Sequence, residues 1–174
     1  GKDLQSLENL ASNLLKMLEH RGPDGNGYQV LNQRNNCKTL LAHTRLSIID
    51  LSENGAQPMS DIKGRFCITY NGDIYNHLEI RRELENLGAT FNTNSDTEVI
   101  IESYKHWGLD GFKKFIGMWA LALWDSNEQQ LILSRDRLGI KPLFFSEQEG
   151  VIAFGSEPKT VLESLNQTPR LNSN

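Results

Sequence analysis

Four short stretches of this sequence resist a purely structural reading. LAHTRLSIID (41–50) sets Arg45 in the middle of an otherwise buried-looking strand. Burying a guanidinium costs several kcal/mol unless it is paired. Arg45 therefore either lies on an exposed sheet face or grips a carboxylate with its two-pronged donors. SDTEV (95–99) reads first as a helix start. Ser95 with Glu98 three residues later makes a capping box, and Asp96 suits the positive end of a helix, which accounts for all three residues without a ligand. TYNGDIYN (69–76) carries Asn71-Gly72, the strongest short-range signal for a hairpin turn, yet residues 77–87 have helical spacing. That places the pair at a strand-to-helix corner, with an acid, Asp73, directly after it. RGPDGNG (21–27) is dense in breakers; it has no GxxxxGK, and a bare Gly-x-Gly is weak evidence for a nucleotide.

Nucleophiles and metal ligands are scarce. The two cysteines are Cys37, in the polar turn-like QRNNCK, and Cys67, which alternates with Phe66 and Ile68 in a core-like strand. A Cys67–His43 nucleophilic pair can be drawn, but packing explains Cys67 better. His20, His43, His77 and His106 show no metal spacing and no CxxC is present, so no metal site is expected. Two cysteines are too few for a disulfide framework, which points to a reducing, cytoplasmic setting.

The elements that must position these residues can be read from periodicity. Residues 4–20 put Leu4, Leu7, Leu14 and Leu18 on one helical face. Strands are predicted at 28–31, 38–46 and 65–70, and helices at 77–87 and 96–107, with room for one short strand in the GATFNTNS link. A short GLDGFKKF helix leads to strands at 118–125, 130–136, 142–146 and 151–156, and Pro158 opens a last helix. MWALALWD is apolar on both faces, which predicts a central strand covered on each side. Strands in hairpin-like runs with grouped helices favour an α+β fold with antiparallel sheets. One domain over 1–165 and a polar tail or linker over 166–174 complete the division. A formal charge of −4 gives no electrostatic reason to expect nucleic acid, and no apolar run approaches the roughly 18 residues of a membrane span.

HRGPDG, TRLSIID, YNGDIYN, SDTEV and SRDRLGIKPLFF occur in that order between about residues 14 and 163. Together they resemble the glutaminase domain of class II glutamine amidotransferases, closest to the asparagine synthetase branch. The resemblance implies an N-terminal-nucleophile hydrolase fold, an αββα sandwich of two antiparallel sheets flanked by helices. It implies hydrolysis of L-glutamine to glutamate, with ammonia passed to a synthetase domain or subunit. It assigns Asn71 (side-chain amide) and Gly72 (backbone N–H) to an oxyanion hole. Arg45 would clamp the α-carboxylate, with backbone groups of Arg45, Leu46, Ser47, Ile48 and Ile49 lining the same pocket. Asp96 would take the α-ammonium, with Asp73 beside it.

Two departures from the family pattern matter. Its usual residue after Asn-Gly is Glu, and the shorter Asp73 stands here, so a direct contact becomes water-mediated. Its nucleophile is a Cys at the mature N-terminus of a CGIxGI-like strand, whose own α-amine acts as base; this chain opens on Gly1 and a helix. The expectation is that the parent protein supplies that strand and that residues 1–174 alone are inactive. The alternative is a non-catalytic glutamine-binding or interaction domain. No SGGxDS-type loop is present, so no cofactor is expected here, ATP and Mg²⁺ belonging to a synthetase domain.

Overall fold

The computed structural model describes residues 3–34, 37–46 and 55–167. At its centre is a four-stranded antiparallel sheet of order β3-β4-β5-β6, formed by β3 (Met59–Ser60), β4 (Phe66–Ile74), β5 (Gly117–Asp125) and β6 (Gln130–Arg135). Two antiparallel ribbons accompany it: β1 (Gly25–Asn32) with β2 (Lys38–Arg45), and β7 (Phe144–Gln148) with β8 (Val151–Gly155). The helices are α1 (Leu4–Leu18), α2 (His77–Asn86), α3 (Asp96–Trp107) and α4 (Pro158–Ser164), with 3₁₀ turns at Glu19–Arg21 and Gly108–Lys114.

β5 decides the layering. Trp119, Leu121 and Leu123 point to one side with Phe66, Ile68, Tyr70 and Ile74 of β4, where they meet Ile80 and Leu84 of α2 and Val99, Ile100 and Ile101 of α3. Ala122 and Trp124 point to the other side with Cys67, against Leu41 of β2, Leu31 of β1 and Phe154 of β8. Alternation with both faces apolar thus produces a strand covered by helices on one side and by both ribbons on the other. The expected α+β fold with antiparallel sheets and flanking helices is what forms.

Three local expectations are corrected. Asn71-Gly72 is not a corner: β4 runs straight through it, pairing residue by residue with β5 from Phe66 opposite Asp125 to Ile74 opposite Gly117. The chain turns only at Tyr75-Asn76, where the Asn76 side chain donates to Lys114 O (3.0 Å) and accepts from Ile116 N–H (2.9 Å). The GATFNTNS link forms no strand. Its Asn92 and Thr93 backbone N–H groups donate instead to the Glu98 carboxylate (2.9 and 2.7 Å), which takes the place of a ladder. Consequently the capping box is only half made. Ser95 Oγ accepts from Thr97 N–H (3.2 Å), but Glu98 reaches back to 92–93 rather than to Ser95.

SRDRLGIKPLFF is tied down by charge. Asp136, 5% exposed, accepts four backbone N–H bonds, from Trp119, Leu138, Ile140 and Lys141. These donors hold its carboxyl below the usual range despite its burial. Arg137 then donates to Phe115 O and Lys113 O.

Candidate active site

The C-terminal end of β2, the far half of β4 and the first turn of α3 line one groove of about 1020 Å³. The groove runs between β2 and β8 across the β4–β5 face, with Leu7, Leu10, Leu14 and Leu18 of α1 also lining it. Arg45, Leu46, Asn71, Gly72, Asp73 and Asp96 all border it. Ser47, Ile48 and Ile49 lie outside the described residues.

Arg45 is the last residue of β2 and is half-buried. The RGPDG loop seats it from behind. Asp24 N–H donates to Arg45 O (3.0 Å), and Pro23 makes a bridge to Arg45. Gly22 lies against the Thr44–Arg45 peptide so closely that a Cβ there would stand 2.5 Å from Thr44 C and 2.6 Å from Arg45 N. The breaker-rich loop is therefore a backing plate for Arg45, a role its composition did not announce.

Thr69, Asn71 and Asp73 alternate with the core-facing Ile68, Tyr70 and Ile74, so they share the groove face of β4. No hydrogen bond among the described residues engages the Asn71 side-chain amide. Gly72 falls on the opposite, helix-facing side. A Cβ there would meet Met118 O, Tyr70 Cε2 at 2.7 Å and Trp119 Cα at 2.9 Å. Glycine at 72 is thus demanded by the close packing of β4 against β5 and the Tyr70 ring rather than by a turn.

Asp96 opens α3 and is 6% exposed. Its Oδ2 accepts from Tyr70 O–H (2.7 Å) and from Ile74 N–H (3.1 Å). Burial lifts its carboxyl above the ordinary range; the Tyr70 and Ile74 bonds and His77 pull the other way, while the nearby Asp73 charge adds to the rise. The Tyr70 phenol is driven far above its usual value, by burial first and then by Asp96. His43, on β2 beside Arg45, lies 3.3 Å by Nδ1 from Thr69 Oγ1. Burial first, and Arg45 second, lower it to about 4, so it is neutral at physiological pH.

The drawn Cys67–His43 pair does not form. Cys67 Sγ donates to Gln29 Oε1 (3.2 Å), and burial pushes the thiol up, away from thiolate. Two groups at the groove escaped sequence reasoning. Tyr70 is one; the general need of a buried phenol for an acceptor was the available signal. Gln57, which accepts from Tyr70 N–H (2.6 Å) and reaches Thr97 Oγ1 (3.5 Å), gave none.

Comparison with known proteins identifies the family. The family model for the glutamine amidotransferase domain matches residues 2–174. Asparagine synthetase [glutamine-hydrolyzing] 1 of Bacillus subtilis is 40% identical over 159 residues, covering 91% of this chain and 24% of that protein. A putative asparagine synthetase [glutamine-hydrolyzing] 2 of Methanocaldococcus jannaschii is 38% identical over 90% of this chain and 33% of its own length. Amidase chry2 of Gibberella zeae is 38% identical over 95% of this chain and 25% of its length. The chain therefore spans only a quarter to a third of these relatives. Among solved structures, glutamine phosphoribosylpyrophosphate amidotransferase from B. subtilis superposes with a TM-score of 0.72 over 89% of this chain and 40% of that one. At 22% identity that likeness shows the fold. With the family model spanning nearly every residue, the chain belongs to the glutamine amidotransferase domain family.

Proposed function

We propose that this chain belongs to a glutaminase domain that, completed by an N-terminal Cys strand, hydrolyses L-glutamine to glutamate and releases ammonia to a synthetase partner, of the asparagine synthetase type, in the cytoplasm. The observation that carries the reading is that Arg45, Asp96, Asp73 and the unengaged Asn71 amide all line one groove. A cation and two acids match the two ends of an amino-acid zwitterion. Arg45 takes the α-carboxylate through two parallel N–H donors, and Asp96 with Asp73 takes the α-ammonium. The glutamine side chain then extends along β4, its amide carbonyl next to Asn71 and Gly72. Their N–H donors hold the negative charge that develops on that oxygen when the amide carbon is attacked.

The groove also has room for a nucleophile. Its volume lies at the top of the roughly 300–1,000 Å³ range of small-molecule pockets, well beyond the needs of one amino acid. It is bordered by β2 on one side and β8 on the other, each paired with a strand along one edge only among the described residues. Trp124, among its lining residues, has a buried indole N–H with no partner among the described residues. An additional strand laid between β2 and β8 meets these needs together, joining the ribbons into one sheet and offering carbonyls to unpaired donors. Such a strand would bring an N-terminal Cys beside Asn71, where its α-amine, titrating near pH 8, serves as base. No cofactor is assigned to this domain; ATP and Mg²⁺ are assigned to the synthetase.

Titration calorimetry tests the binding half of this reading. The protein is expected to bind L-glutamine, and Arg45→Ala is expected to weaken binding roughly 10- to 100-fold through the lost charged bonds. Undiminished affinity in Arg45→Ala would remove Arg45 from the site.

A further inference from the structure

We propose that Tyr70 is the positioning residue of the ammonium end, and so sets the site's preference for a substrate with a free α-amine. The inference rests on the glutamine reading above and adds a residue and a selectivity to it.

Tyr70 and Asp96 belong to different elements, the helix-facing side of β4 and the first turn of α3. Each is nearly shut off from solvent, at 4% and 6% exposure. Both hydrogen bonds to Asp96 among the described residues, from Tyr70 O–H and Ile74 N–H, fall on Oδ2. A carboxylate held by one oxygen can swing about its Cβ–Cγ bond; held there from two directions, it cannot. Oδ1 is then the oxygen left for a cation, and Asp96 borders the groove.

The phenol suits this task because it has one proton to give and does not lose it, its titration lying far above any working pH. Tyr70 is thus a permanent donor, and Asp96 a permanent acceptor from it. A short bond from a neutral donor also supports the ionised carboxylate against burial, which otherwise favours the uncharged acid. Asp73 adds a second negative charge close enough to raise Asp96 further. Two carboxylates, one of them buried, are most relieved by a compact cation placed between them, which is what an α-ammonium supplies. Gly72 makes the geometry possible: any Cβ at 72 would press on the Tyr70 ring at Cε2, 2.7 Å away.

The test compares full-length wild-type protein with Tyr70→Phe on two substrates: L-glutamine, and 4-carbamoylbutanoate, which is glutamine without its amino group. Wild type is expected to prefer glutamine strongly. In Tyr70→Phe that preference, as a ratio of kcat/KM values, falls roughly 10- to 100-fold, chiefly through KM for glutamine, while kcat stays within about threefold. Because the preference is a ratio measured on the same molecules, a partly unfolded preparation does not alter it. In an Asp96→Asn background the Tyr70→Phe change has no further effect on the ratio. If Tyr70→Phe instead raises KM for both substrates equally, Tyr70 is a packing residue and the inference is overturned, with the glutamine reading intact. If wild type shows no preference for the amino group, Asp96 does not hold it and the inference falls; the glutamine reading falls only if wild type fails to turn over glutamine.

Discussion

His43 offers a quantitative test of the groove's interior. Its imidazole is lowered from 6.5 to about 4, by burial first and by the Arg45 charge second. Between those two values the unfolded chain binds a proton that the folded protein refuses. Stability is therefore full above pH 6.5, falls as the pH drops through that window, and levels off below about 4. The displacement from 6.5 to about 4 corresponds to about 3 kcal/mol at its limit, most of it lost by pH 4.5. For a domain of this size that is a fall of roughly 5–10 °C in melting temperature. Carboxylates titrate over the same range, so the quantity to measure is the difference between wild type and His43→Gln, whose amide can still bond Thr69 but carries no titrating proton. Thermal melts at pH 7.5 and 4.5 should show wild type losing about 5–10 °C relative to the variant. A difference constant to within 2 °C would refute the reasoning, since it would mean that His43 is as well solvated as in the unfolded chain.

Asp96→Asn is expected to trade function for stability. It removes a charge whose burial is unfavourable, so the melting temperature at pH 7.5 should rise by a few degrees while glutamine affinity falls roughly 10- to 100-fold. Because the wild-type carboxyl titrates above its ordinary value, it takes up a proton and sheds that cost as the pH falls, so the variant's thermal advantage should shrink on acidification. Asn71→Ala should lower glutamine turnover in the full-length protein about 100- to 1000-fold, the typical effect of losing one oxyanion donor. Its melting temperature should stay within about 2 °C, because Asn71 is an ordinary strand residue without a positive φ.

The elements of this fold were written plainly in its periodicity. The two-faced run of β5 has its layer on each side, and Ser95 caps α3 where the sequence placed it. What went astray was local signal overruled by pairing. Asn71-Gly72 reads as a turn in isolation, but nine consecutive pairs with β5 carry the strand through it. The 88–95 link had room for a short strand, whereas the Glu98 carboxylate satisfies the backbone there. The candidate site was legible as single residues and not as a network. Arg45 was conspicuous as a charge in a buried-looking strand, while Asp96, explained by its local sequence as a helix-start acid, entered the site only through the family resemblance, and nothing pointed to its bond with Tyr70. A bond between residues 26 apart in sequence, on different elements, leaves no periodic trace. The backing of Arg45 by Gly22 is hidden for the same reason, since composition records a breaker but not what it packs against.

The central claim is that this groove hydrolyses glutamine once an N-terminal Cys strand lies between β2 and β8. Its most direct test is glutamate release from L-glutamine by three proteins: residues 1–174 alone, the parent protein with its own N-terminal sequence, and that protein with its N-terminal Cys replaced by Ala. Activity is predicted only in the second. Glutamate release by residues 1–174 that disappears in Cys67→Ala would contradict the account, as would a parent protein that binds glutamine and never turns it over.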